Sequence, residues 1–149
     1  MDKDSIQKQQ PIIRRRGVVA VVKRGEQFLS ICRSAAVVAP GKICFPGGGI
    51  EGDESEPIAL VREMQEELGV EFRPRECVWR NVTSWGTSLA WWLGEIDAEA
   101  IFVPNPLEVE SVHWFSSDEL LAHVHLLDSN REFLAALAAG KIETHGSDR

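Results

Sequence analysis

The sequence has no apolar run approaching the roughly 18 residues of a membrane span. Its start, MDKDSIQKQQ, lacks the apolar segment of a secretory signal. Neither a membrane partner nor export is therefore expected, and the cytoplasm is the expected compartment. Cysteine is scarce: Cys32, Cys44 and Cys77 are odd in number and widely spaced. That fits neither a disulfide framework nor a zinc pattern, so they read as reduced core residues. His113, His123, His125 and His145 likewise lack metal-ligand spacing. Positive charge is in short supply, 16 Lys and Arg against 23 Asp and Glu, a net −7. A long nucleic acid needs an excess of cations along its backbone, so no such partner is expected. A small phosphate-bearing substrate stays open, because carboxylates can gather divalent cations and those cations can hold phosphates.

What is present is an ordinary globular composition, 44% hydrophobic and 26% charged over 149 residues, enough for one domain with one core. The polar, aperiodic ends read as tails at 1–13 and 140–149, with the folded unit at 14–139. Gly17 to Val22 and Gln27 to Cys32 read as a hairpin joined by Lys23-Arg24-Gly25-Glu26. Further strands are expected at Glu76 to Ser84, Ser88 to Ile96 and Val109 to Phe115. A helix is expected over Ser55 to Leu68, stopped by Gly69. The spacings Ser116 to Glu119 and Ser129 to Glu132 mark helix starts near 117 and 130. With no repeats and no regular strand–helix alternation, the fold class is α/β of the α+β type, a mixed α/β sandwich.

The informative stretch is FPGGGIEGDESEPIALVREMQEELGV, Phe45 to Val70. At about 100° per residue, Ile58, Val61, Met64 and Leu68 fall on an apolar stripe. Glu63, Glu66 and Glu67 lie within roughly 100° of one another on the opposite side. Like charges so crowded oppose the helix unless something neutralises them, and an oxygen-only donor set suits Mg2+, with Mn2+ as the alternative. Gly47-Gly48-Gly49 before the helix permits close approach of main chain to a ligand.

Gly48, five residues, Glu54, seven residues, then Arg62-Glu63-Met64-Gln65-Glu66-Glu67-Leu68-Gly69-Val70 matches every position of the box G-x5-E-x7-R-E-U-x-E-E-x-G-U, where U is aliphatic. The chain resembles the Nudix hydrolase family, of MutT-like type, across residues 17 to 137. The resemblance implies an α/β/α sandwich around a central mixed β-sheet, Mg2+ on the box helix, and hydrolysis of phosphoanhydrides by a metal-activated water. It makes Glu63, Glu66 and Glu67 metal ligands, with Glu67 foremost and Gly48 beside them, and gives Arg62 and Glu54 positioning roles. A general base is implied within PNPLEVE, residues 104–110, where Glu108 is the first choice, also as a metal ligand, and Glu110 the alternative.

Substrate identity is read from fewer residues. Asn130 stands where MutT-like relatives use an asparagine to read a purine edge, an amide being both donor and acceptor. Gly47, Gly48 and Arg33 complete the substrate-binding set, Arg33 by reaching a phosphate. Trp91 and Trp92 alternate along a strand, so one of them could face the substrate. Val38, where a second arginine is expected, departs from the pattern of coenzyme A-cleaving relatives, and no proline near Gly86 matches the ADP-ribose branch. Arg14-Arg15-Arg16 reads as a solvated junction. The expected substrate is a purine nucleoside triphosphate, its base oxidised or not, giving monophosphate and pyrophosphate. A dinucleoside polyphosphate or nucleotide sugar is the alternative, followed by a non-catalytic nucleotide-binding module. A monomer or homodimer is expected.

Overall fold

The computed structural model of the protein describes residues 15–144; the expected tail at 1–13, Arg14 and His145 lie outside the described residues. Among the described residues eight strands form two sheets. The strands are β1 (Arg15–Val21), β2 (Lys23–Arg24), β3 (Gln27–Arg33), β4 (Ile43–Cys44), β5 (Gly47–Gly49), β6 (Arg73–Val82), β7 (Thr87–Glu95) and β8 (Val109–Ser116). The first sheet runs β5-β1-β7-β6; the second runs β2-β3-β4 with β8 also on β3. β1 pairs in parallel with β7 and antiparallel with β5, which makes the first sheet mixed. Among the described residues three helices complete the α+β fold: α1 (Glu56–Leu68), α2 (Ser117–Ala122) and α3 (Asp128–Ala138).

Period-2 alternation sorts β1 and β7 onto two cores. Val18, Ala20 and Ala90 face Ala59, Leu60, Met64 and Leu68 of α1, together with Leu29 and Ile31 of β3. Val19, Val21, Trp91 and Leu93 face Phe133 and Leu134 of α3. This second core is aromatic: Trp91 stacks on Phe133 with centroids 4.7 Å apart, and Phe45 and Trp79 meet Phe133 edge-on at 5.6 and 5.9 Å. Ile142 and Thr144 are buried too, so the chain stays packed past residue 139, and a loose segment from 140 is not what the structure has as far as Thr144.

Three local readings are corrected. The expected hairpin between residues 17–22 and 27–32 is not one, because β1 is drawn into the first sheet while β3 joins the second. Only the two-residue β2 folds back on β3, pairing Lys23 with Phe28 and Arg24 with Gln27. α3 starts at Asp128, with Leu127 as its cap residue and no side-chain cap, rather than behind a Ser129 capping box. The Leu127 N–H donates to the Ile43 carbonyl at 2.9 Å and the Ile43 N–H to the His125 carbonyl at 2.9 Å. That tie keeps the backbone extended to Leu127, and the helix begins at once beyond it. The box at Ser116 and Glu119 does form, in both directions.

The third correction concerns α1. Ile58 and Val61 are exposed, whereas Ala59, Leu60, Glu63, Met64, Glu67 and Leu68 are buried. On a helical projection these six occupy one arc of about 180°, with Glu63 and Glu67 inside it, between Ala59 and Leu60. The acidic stripe thus adjoins the apolar one and turns inward with it, because the helix packs on the first sheet at β1, β6 and the glycine strand β5.

Phe133→Ala should remove the hub of the aromatic cluster and lower unfolding stability by about 3–5 kcal/mol. Urea denaturation monitored by tryptophan fluorescence checks this, and a loss under about 1 kcal/mol would contradict the packing described.

Candidate active site

The helix that carries the site is set at both ends by its own residues. Ser55, in extended backbone, accepts from the Ile58 N–H, and Pro57 sits in the first turn where no amide partner is needed. Gly69 closes the helix at φ 65°, and its N–H donates to Gln65. A side chain at Gly69 would also press on Val103, 3.1 Å away. Glycine here lets the loop after β7 pass over the helix end, where the Val103 N–H donates to Leu68 O and the Asn105 N–H to Glu67 O, both at 2.8 Å.

This docking brings Glu108 to the helix. One carboxylate oxygen from each of Glu63, Glu67 and Glu108 lies within 4.8 Å of the others. Glu66, expected in the same cluster, is half exposed at the rim and bound to Arg62. Glu110 is exposed on β8 and does not join the three, so of the two acids considered in residues 104–110 it is Glu108 that reaches the site. Gly48 lies against this cluster: a Cβ there would overlap the Glu63 carboxylate, which explains the glycine. The Gly47 N–H donates to Glu67 at 3.4 Å.

Arg62 organises the rim. Its Nε and Nη2 grip both oxygens of Glu54 at 2.7 and 2.9 Å, Nη1 donates to Glu63 at 3.0 Å and Glu66 at 3.1 Å, and Nη2 also reaches the Gly49 carbonyl at 2.9 Å. Hydrogen bonding to Arg62 holds the Glu54 carboxyl down at about 2. The same bonds to Glu54, above all, raise the Arg62 pKa. Inside the cluster the shifts run the other way. Burial pushes Glu63 up despite Arg62. Burial, then the charges of Glu63 and Glu108, push Glu67 up to about 8.

Beside the cluster opens a cleft of about 240 Å³, lined by Arg33, Gly47, Gly48 and Asn130 among others. Arg33 is held by its Nε–H to the Val38 carbonyl at 2.7 Å and by Nη1 to Cys44 Sγ at 3.9 Å. Asn130 is 2% exposed, and its Nδ2 has no hydrogen-bond partner among the described residues. It sits in the first turn of α3 without capping it, so its amide is free for the cleft. Neither tryptophan singled out for the cleft lines it: Trp91 is buried in the aromatic core, and Trp92 donates to Glu56 at 3.0 Å on the α1 side. Arg15 and Arg16, read as a solvated junction, are exposed, and they open β1 at the cleft. Cys44 on the cleft wall and Ser34, whose Oγ–H donates to Leu107 O at 2.8 Å beside Glu108, carried no signal at sequence level.

The profile of the NUDIX domain matches residues 13–137. The NAD-capped RNA hydrolase NudC of Stutzerimonas stutzeri (strain A1501) is 31% identical over 105 residues, 70% of this chain and 37% of that protein. The CTP pyrophosphohydrolase of Escherichia coli (strain K12) is 44% identical over 54 residues, 36% of this chain and 40% of that protein. This chain therefore spans well under half the length of either curated relative. The solution structure of the E. coli ORF135 protein superposes with a TM-score of 0.68 at 28% identity, over 86% of this chain and 91% of that one.

The Glu67 proton gives a pH test. Its folded-state pKa, about 8, lies above the ordinary value of 4.5. The folded state therefore binds that proton more tightly, and the associated stability is complete below pH 4.5 and lost as pH rises to about 8. In chelator, the melting temperature of the wild type should fall across that window, and Glu67→Gln should flatten the fall. Thermal denaturation in EDTA as a function of pH decides it; parallel curves for the two proteins would refute the inward-facing carboxylate.

Proposed function

The chain belongs to the Nudix family, and from that premise we propose that it hydrolyses the phosphoanhydride bond of a nucleoside diphosphate linked to a further group. The preferred substrate in this reading is a purine nucleoside triphosphate, its base oxidised or not, giving monophosphate and pyrophosphate. One observation carries the reading: three carboxylates, two of them buried, converge beside a cleft lined by Asn130, whose amide nitrogen has no partner among the described residues. We take residues 14–139, with the docked segment to Thr144, as the hydrolase domain.

The donor set fits a hard divalent cation. All donors are oxygen, they converge, and burial with mutual repulsion leaves them short of the positive charge that Arg62 supplies only at the rim. Glu63, Glu67 and Glu108, with the main chain at Gly48 and Glu66 at the edge, would hold Mg2+ or Mn2+. When bound, the cation neutralises phosphate charge and acidifies a water. Arg62 keeps Glu63, Glu66 and Glu54 in register. Arg33 offers a guanidinium to a phosphate, and Gly47 and Gly48 let the substrate approach the backbone. Glu108 Oε2 accepts the Asn105 amide at 3.0 Å, leaving Oε1 to take the proton of the attacking water. Asn130 presents its free N–H to a base edge.

A second reading, a dinucleoside polyphosphate or nucleotide sugar, is favoured by Arg15 and Arg16, two cations at the cleft beyond those a triphosphate needs. A non-catalytic nucleotide-binding module is disfavoured because Glu63, Glu66 and Glu67 are all retained.

Activity should require a divalent cation, vanish in excess EDTA, and drop at least about a hundredfold in Glu67→Gln, since the amide keeps the shape and removes the ligand charge. Release of phosphate or pyrophosphate from a panel of nucleotides with Mg2+ measures this, and full turnover in chelator would sink the proposal. Asn130→Ala should narrow the ratios of kcat/KM among guanine, adenine and pyrimidine substrates by about tenfold while the metal requirement persists. Unchanged ratios would leave Asn130 without a part in recognition.

A further inference from the structure

Glu108 comes from a loop, yet it must be placed as firmly as Glu63 and Glu67, which ride on a helix. The Asn105 side chain joins the two. Its Nδ2 donates to Glu108 Oε2 at 3.0 Å, and its Oδ1 accepts from the Leu107 N–H at 3.1 Å, an Asx turn that bends the chain toward Glu108. Its main chain is committed as well. The N–H is bound to Glu67 O at 2.8 Å, and the carbonyl accepts from the Glu108 and Val109 N–H groups at 2.9 and 2.8 Å. The far side of the turn is pinned by buried Ser34, whose N–H donates to Glu108 O at 3.0 Å. One residue thus touches the peptide of one carboxylate-bearing position and the side chain of another.

We propose that Asn105 is a positioning residue for the metal-binding carboxylates. Its backbone ties the loop to Glu67, and its amide fixes the rotamer of Glu108, so that the distance between the two carboxylates is set through a single residue. The proposal rests on the reading of Glu63, Glu67 and Glu108 as a cation site. The bonds to Leu107 and to Glu108 are separable. A serine hydroxyl can still accept from Leu107, as a weaker version of the same turn, but is too short to reach Glu108.

The test is a double-mutant cycle read by Mn2+ binding, with calorimetry on the intact chain. Asn105→Ser should weaken Mn2+ binding about 10- to 100-fold, the range for partners of metal-ligating side chains. It should lower kcat by a similar factor with KM for the nucleotide within about twofold. In a Glu108→Gln background the same change should have no further effect on Mn2+ affinity, because the coupling runs through Glu108. Additive losses, or wild-type Mn2+ affinity and kcat in Asn105→Ser, would overturn the proposal whatever the melting temperature does. If Asn105→Ser does not fold, Asn105→Asp keeps the turn acceptor and sets a carboxylate against Glu108; undiminished kcat in that variant would overturn it equally. A chain that binds Mn2+ with the predicted coupling but hydrolyses no nucleotide would refute the proposed reaction and leave the positioning role standing.

Discussion

The fold is organised around an electrostatic conflict. Two carboxylates of one helix, Glu63 and Glu67, are turned away from water next to a third from a distant loop. Burial alone would drive such groups to protonate, and the raised values of Glu63 and Glu67 register that pressure. Arg62 relieves it only at the edge, because most of its hydrogen-bonding capacity is spent on Glu54, Glu66 and the Gly49 carbonyl. The glycine strand must lie close to the helix, the helix must end where the loop can cross it, and the loop must be bent at one place. Each of these requirements follows from gathering three like charges in one spot.

The sequence conveys this unevenly. The box was readable because chemistry constrains it at many positions: Gly48 has no room for a Cβ beside Glu63, Gly69 needs a left-handed backbone, and Arg62 must reach Glu54. α1 and its two ends were legible for the same reason. The side that the helix buries was not, since a projection that sorts residues by polarity sets Glu63 against Met64, whereas the structure buries both. Only knowledge of what lies opposite the helix distinguishes a solvated acidic face from an inward one.

Long-range pairing was the other blind spot. Nothing in Gly17 to Cys32 says that β1 leaves its neighbour for β7, whose partners lie 72 residues away, and a hairpin is the reading that local turn chemistry supports. α3 likewise begins where β4 releases the chain and not where a capping box is spelled. Glu108 was found by its position in the resemblance, but Asn105 was passed over, although an asparagine two residues before a main-chain N–H that it can bind is a recognised turn signal.

The two faces of the first sheet carry different loads. α1 and the carboxylates pack on one face, and α3, with Asn130 and the aromatic core, packs on the other. Asn130 and Phe133 are one helical turn apart, so the amide in the cleft is mounted on the helix that carries the aromatic core. The cleft is thus shared between two mounts: divergence at residues 128–130 acts on it from α3, whereas Gly47 and Gly48, which line it and touch Glu67 and Glu63, tie it to the box helix, so drift in that helix is felt in the cleft as well.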